Sequence, residues 1–262
     1  MKRKLGIIVE CLKNTDSLHT LELVKEAGFD CFFTGSQSSE RVAELVRKGQ
    51  ELGLTCEFIH APFKNINSMW LAGMSYLEIM NGMKHSIDNA AANGIPTVIV
   101  HVSSGWDAPD ITELGLSRFD ELVLYAKSKG VIVAFENLRK VGNLAYFADR
   151  YEKLDNVRFC YDNGHEYCYT KYVSWIDIFR DRLVATHIHD NHGRDNIPVG
   201  DPDEHLLPFD GTFDFPDMMR RLDKYAYGGA LMLEVFSGNC PEYTDEEFIA
   251  TCFERIKRIS EM

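Results

Sequence analysis

The sequence predicts a single (β/α)8 TIM barrel spanning residues 1–262 as one domain. Three observations predict it. Short apolar runs alternate with longer amphipathic stretches, the pattern of a parallel sheet with crossover helices. The alternation repeats eight times, and 262 residues is close to the roughly 250 typical of a closed barrel rather than an open doubly wound sheet. No linker, low-complexity tract or break in composition marks a second domain.

The first run, residues 5–12, follows the basic start Met1 to Lys4; its apolar part is too short for a signal-peptide core and reads as a strand. A helix over 18–27 follows and stops at Gly28. The second strand covers 30–35, and its helix, 40–52, stops at Gly53. The third strand, 55–61, leads to a helix over 76–93 ending at Gly94, and the fourth, 97–103, to a helix over 116–129 ending at Gly130. A glycine just past the last helical residue is the usual stop, because it accepts the left-handed conformation that ends a helix. Strands five to eight are 131–138, 157–162, 183–190 and 229–236, with helices over 144–154, 173–181, 215–225 and 245–261 that lack glycine stops. Several runs are unbroken Val, Ile, Phe and Leu, as for strands covered on both faces. The longest irregular stretch, 191–212, lies between the seventh strand and its helix; loops this long in a compact domain usually carry function.

Composition narrows the function classes. Hydrophobic residues at 45% and charged residues at 26% fit an ordinary soluble globular chain. With 28 basic and 40 acidic side chains the net charge is −12, which argues against nucleic acid and anionic membrane surfaces as partners. No apolar run reaches the roughly 18 residues that span a bilayer. The seven cysteines are scattered without a CxxC pair, which reads as reduced thiols of a cytoplasmic protein.

Polar residues gather where a barrel keeps its chemistry, at the C-terminal ends of the strands. Strands three to eight end in His60, His101, Glu136, Asp162, His187 and Glu234, with His165 just beyond strand six and Asp203 and His205 in the long loop. Any one of them has an ordinary structural explanation. Together they converge on one axis, and carboxylates crowded there cannot all stay ionised without compensation. A divalent cation resolves this, and mixed imidazole and carboxylate donors suit Zn²⁺, Mn²⁺ or Co²⁺ better than Ca²⁺.

The segments His60-Ala61-Pro62, His101 with Gly105, Glu136-Asn137, Asp162-x-x-His165, His187-x-His189-Asp190, Asp203-x-His205 with Gly211, and Glu234 resemble the xylose isomerase-like TIM barrels over nearly the whole chain. That superfamily joins sugar isomerases and epimerases to endonuclease IV-type DNA repair enzymes. The isomerase and epimerase branch implies a single metal on Glu136, Asp162, His187 and Glu234, with the two glutamates as acid and base. It also implies that His165 binds a substrate oxygen and that Arg194 stands where some relatives place a substrate-binding arginine. The endonuclease IV branch implies three zinc ions on His60, His101, Glu136, Asp162, His165, His187, Asp203, His205 and Glu234. The expected cofactor is therefore one to three divalent ions per chain.

The acidic charge, and loops after strands two and three that lack clustered arginine, lean towards a sugar. Phe63, Trp106, Phe209 and Phe236 are candidate walls for a compact polyol, and Lys64, Arg139 and Arg194 are candidate phosphate contacts. The leading expectation is a metal-dependent isomerase or epimerase of a small sugar or sugar phosphate, working through an enediolate with Glu136 and Glu234 as acid and base. The alternatives are a zinc-dependent phosphodiesterase acting at abasic DNA and a barrel that binds sugar or metal without turnover. Sugar-active relatives are commonly dimers or tetramers, so a homo-oligomer is compatible with the resemblance.

Overall fold

The computed structural model describes residues 2–197 and 199–262; Met1 of the basic start and Pro198 of the long loop lie outside the described residues. Its strands are β1 (Leu5–Ile8), β2 (Cys31–Gly35), β3 (Thr55–His60), β4 (Thr97–Val100), β5 (Ile132–Glu136), β6 (Val157–Asp162), β7 (Leu183–His187) and β8 (Leu231–Leu233). All neighbours run parallel, in the order β7-β6-β5-β4-β3-β2-β1-β8. The ring closes just past β7, where Ile188 N donates to the Met232 carbonyl at 2.8 Å and Glu234 N donates to the Ile188 carbonyl at 3.0 Å. The (β/α)8 TIM barrel read from the sequence is the observed fold. No helix among the described residues is long and apolar enough to cross a membrane.

The helices are α1 (Ser17–Ala27), α2 (Ser39–Leu52), α3 (Tyr76–Ala92), α4 (Glu113–Ser128), α5 (Val141–Arg150), α6 (Asn163–Tyr169), α7 (Trp175–Phe179), α8 (Phe215–Lys224) and α9 (Asp245–Ser260). Side chains that accept the orphan amides of the first turn start several of them: Asp16 for α1, Ser38 for α2, Thr112 for α4 and Thr244, in a capping box with Glu247, for α9. Gly28 and Gly53 end α1 and α2 at φ +107° and +72°, as the sequence predicts.

Three expectations need correction. Strands one, four, five, seven and eight are shorter than their apolar runs, because the chain leaves the ladder while still buried; residues Val9–Cys11, for example, turn into a short 3-10 helix. The stretch 173–181 yields the short α7 (Trp175–Phe179), followed by a 3-10 turn over Arg180–Arg182. A separate helix, α6, starts immediately after β6 because the Asp162 carboxylate accepts the His165 amide at 2.6 Å and caps it. The fourth and fifth helices begin three residues earlier than expected, at Glu113 and Val141.

The β3–α3 connection is held against the barrel by Arg118. This buried guanidinium donates to the carbonyls of Ser68, Met69, Leu71 and Gly73 at 2.8–3.0 Å. The loop of 191–212 folds back over the barrel mouth, where Asp190 and Leu206 exchange backbone hydrogen bonds at 2.8 and 2.9 Å. The Asp190 carboxylate accepts the amides of Asn191, Phe209 and Phe213 at 2.8–3.0 Å and fastens the loop along its length.

Candidate metal and substrate site

Strand register sets which side chains reach the barrel axis. Asp162 and His187 are paired positions on β6 and β7, and Glu136 pairs with Cys160, two residues before Asp162. The period-two alternation of a strand then puts Glu136, Asp162 and His187 on the same, inner face. Beyond the strands, two asparagine side chains continue the ladder. Asn137 exchanges hydrogen bonds with the backbone of Asp162, both at 2.8 Å, and Asn163 does the same with His189 at 2.8 and 2.9 Å. Each amide acts as one more peptide rung, so the ends of β5, β6 and β7 are fixed to one another where the ligand-type residues emerge.

Glu136 is the centre of the cup and is 1% exposed. Its Oε2 lies 3.2 Å from His60 Nε2 and 3.1 Å from His101 Nε2; its Oε1 lies 3.3 Å from His187 Nδ1 and 3.2 Å from His165 Nδ1. Glu234 Oε2 approaches the same His187 Nδ1 at 3.5 Å, and Asp162 Oδ2 stands 3.8 Å from it. Asp203 Oδ2 joins the rim, 3.2 Å from His165 Nε2 and 3.5 Å from His205 Nε2. Among the described residues no lysine or arginine pairs with any of these four carboxylates. Phe63 walls the cup, stacked on His101 with ring centroids 4.4 Å apart. The cup encloses about 420 Å³.

The electrostatics follow from this enclosure. Burial alone would push the Glu136 carboxyl up, but His187 and His101 beside it hold it well below the usual carboxylate range. Burial disfavours charge on His187, yet facing Cys160, Glu234 and Glu136 raise its pKa well above the ordinary imidazole value. His165 is likewise raised against its burial, by Asp162, Asp203 and Glu136. His205, opposed by burial but hydrogen-bonded to Asp203 and facing Glu234, is pushed up to about 9. The carboxylates thus draw positive charge onto His165, His187 and His205, whereas burial holds the His101 ring below the ordinary imidazole value.

Those donors fit a divalent cation. Ligand atoms of His60, His101 and Glu136, of Glu136, Asp162 and His165, and of Asp162, His187 and Glu234 lie within 4.8 Å of one another in each set. His101 Nδ1, His187 Nε2 and Asp203 Oδ1 are buried with no hydrogen-bond partner among the described residues. A cation that drew in the rim would give the Asp203 oxygen its missing partner.

His189 is the residue that sequence reading passed over. It belongs to the quoted motif but received no role, although its spacing of two from His187 on one strand was the available signal. Asn191 Oδ1 accepts the Glu204 amide at 2.5 Å, which turns the Asn191 NH₂ towards His189 Nδ1, 3.0 Å away. That nitrogen therefore accepts, and the ring proton sits on Nε2, 3.3 Å from Asp162 Oδ2. In this tautomer His189 orients Asp162 rather than offering it a competing lone pair. Its ring also stacks on His205, centroids 4.0 Å apart, and fills the space over Gly164, where a Cβ would come within 2.0 Å of it. His205 itself adopts a left-handed backbone at φ +49°, a conformation that costs a non-glycine residue energy and is found at functional sites.

Of the residues expected from sequence, His60, His101, Glu136, Asp162, His165, His187, Asp203, His205, Glu234 and Phe63 meet in or beneath the cup. Trp106 and Arg194 do not. They line a neighbouring cavity, where the Arg194 guanidinium lies over the Trp106 ring at 4.7 Å and donates to the carbonyls of Ile197 and Gly200. Arg139 lines both spaces, Phe236 flanks His205, and Phe209 packs on Phe215 away from the cup.

Comparison with known proteins agrees with the barrel fold. The chain is 30% identical over 260 residues to the uncharacterized protein y4fM of Sinorhizobium fredii, covering 82% of this chain and 80% of that one. Among solved structures it superposes on D-psicose 3-epimerase from Clostridium cellulolyticum H10 with a TM-score of 0.74, at 16% identity and 98% coverage of both chains. It superposes on the 3-keto-D-glucoside 4-epimerase YcjR from E. coli with a TM-score of 0.75, at 16% identity and 100% coverage of both. The family described as xylose isomerase-like TIM barrel matches residues 21–256, and the chain belongs to that family.

Proposed function

We propose that this protein is a divalent-metal-dependent isomerase or epimerase of a small sugar, with Glu136 and Glu234 as the proton-transferring pair. One observation carries the reading: the carboxylates of β5 and of the residue after β8 come from far around the ring yet meet at one imidazole nitrogen, His187 Nδ1, at 3.3 and 3.5 Å. Two carboxylates that approach one point from different sides suit removal of a proton from a carbon beside a carbonyl and its return. Solved neighbours that are sugar epimerases support the substrate class.

Glu136, Asp162, His187 and Glu234 would hold the cation. Bound there, it supplies Lewis-acid stabilisation of the negative charge that develops on the substrate's oxygens. The chain's own residues do the rest. Glu234, at 14% side-chain exposure, has the freer carboxylate and takes or gives the proton from the open side, while enclosed Glu136 serves the opposite face. His165, whose Nδ1 donates to the Asn137 carbonyl at 2.9 Å, presents Nε2 to the cup and orients a substrate hydroxyl. Phe63 and the histidine rings limit water at the reacting carbon.

The test is hydrogen exchange. Metal-loaded protein in deuterated water should incorporate deuterium beside the carbonyl of at least one ketose, aldose or phosphate ester in a broad panel. Complete retention of hydrogen across that panel would count against proton transfer. A second reading has one observation in its favour. The two oxygens of Glu136 face separate donor groups, His60 with His101 on one side and His187 on the other, an arrangement suited to more than one ion and to zinc-dependent phosphodiester cleavage. Cleavage of an abasic duplex by the zinc-loaded protein would promote it; the acidic chain argues against it.

A further inference from the structure

We propose that the cavity beside the cup is a subsite for a second, uncharged sugar ring, so that the substrate is a glycoside or oligosaccharide whose reacting ring lies in the cup. This rests on the sugar reading of the cup given above. The cavity, about 680 Å³, is larger than the cup at about 420 Å³, and a single ring held over Glu136 leaves it vacant. The two spaces share a wall: Arg139 and Tyr169 line both, and the Tyr169 ring lies 5.4 Å from His165 of the cup and 5.3 Å from Trp106 of the cavity. A ligand that leaves the cup over this ledge enters an aromatic enclosure of Trp106, Tyr167, Tyr169 and Tyr172.

The charges there favour a neutral ring over a phosphate. Arg139 is already bound to Asp201 at 2.8 Å and lies on the Tyr169 face at 3.7 Å, and Lys171 is paired with Asp195. Arg194 spends its Nη1 on two backbone carbonyls and covers Trp106. A phosphate at Arg139 or Lys171 would have to displace the carboxylate each already holds, whereas the apolar face of a pyranose needs only exposed aromatic surface, which Trp106 at 55% and Tyr172 at 91% exposure provide. Cations stacked on the aromatics offer their edges to hydroxyl groups.

Tryptophan fluorescence tests the subsite without reference to activity. Trp70 and Trp175 are 1% and 0% exposed, so iodide quenching reports on Trp106. The probes are maltose, cellobiose, sucrose and phenyl glucoside, against glucose, fructose, glucose 6-phosphate and inorganic phosphate. We expect at least one of the first group to protect Trp106 from iodide while none of the second does. Protection by no disaccharide or glycoside, or equal protection by phosphate, would overturn the proposal. With a turned-over glycoside, Trp106→Ala should raise KM about tenfold. Glycoside protection without solvent exchange on any sugar would leave the subsite standing and remove the catalytic reading; exchange on monosaccharides without glycoside protection would do the reverse.

Discussion

Two glutamates are buried among the described residues, and their surroundings differ in kind. Glu166, on α6 outside the barrel wall, is bound to the Arg221 guanidinium at 2.8 Å, the Tyr161 hydroxyl at 3.0 Å and the Trp175 amide at 3.0 Å. Glu136, inside the cup, meets four imidazoles and no fixed cation. A buried carboxylate must be compensated in either case. An arginine does so permanently and leaves nothing for a ligand to do. Imidazoles do so only while protonated, and a metal ion can take over that role by displacing the protons. The first arrangement is structural; the second is the one the proposed cation would complete.

Substitution at the cup should break the comparison most sharply. Glu136→Gln and Glu234→Gln should each lower solvent exchange into substrate by about 10²–10⁴-fold while circular dichroism stays close to wild type. Exchange within a factor of a few of wild type in either variant would exclude that residue as acid or base. Arg221→Met should do the opposite. Leaving Glu166 buried and unpaired should cost about 3–5 kcal/mol in urea unfolding, with activity per folded molecule kept; a cost below 1 kcal/mol would show that the pair is dispensable.

A smaller effect is expected at His189. Its replacement by leucine removes the hydrogen bond that orients Asp162, and leaves the four proposed ligands Glu136, Asp162, His187 and Glu234 in place. The metal stoichiometry should hold while affinity falls about 10–100-fold by competition with a chelating dye. Loss of an ion from the stoichiometry would instead make His189 a ligand. The smallest effect concerns pH. His205 titrates near 9 in the fold against about 6.5 unfolded, so its charged form adds stability that is complete below about pH 6.5 and lost as pH rises through 9. Metal-free protein should melt progressively lower from pH 6.5 to 9, less so with His205→Asn, and added metal should flatten the curve. A rise in melting temperature over that interval would contradict the assignment.

The barrel and the contents of its cup were legible in the sequence because both follow from strand order. Alternating runs give the ring, and a polar residue ending each successive strand must face its axis. Element lengths were less legible. The apolar runs at 5–12 and 229–236 continue beyond the ladder, since burial rather than pairing selects hydrophobic residues there. Trp106 and Arg194 lie outside the cup because loop paths depend on tertiary anchors such as the Asp190 carboxylate, which no local pattern announces. The part played by His189 was hidden for a similar reason: its tautomer is set by Asn191, and Asn191 is itself oriented by the amide of Glu204 far along the loop.

The asparagine rungs at Asn137 and Asn163 bear on how such a protein changes over time. Because they tie one strand end to the next without help from the connecting segments, insertions or replacements in those segments need not disturb the donor atoms. Diversification towards new substrates can then proceed in the surrounding loops while the reactive centre keeps its spacing.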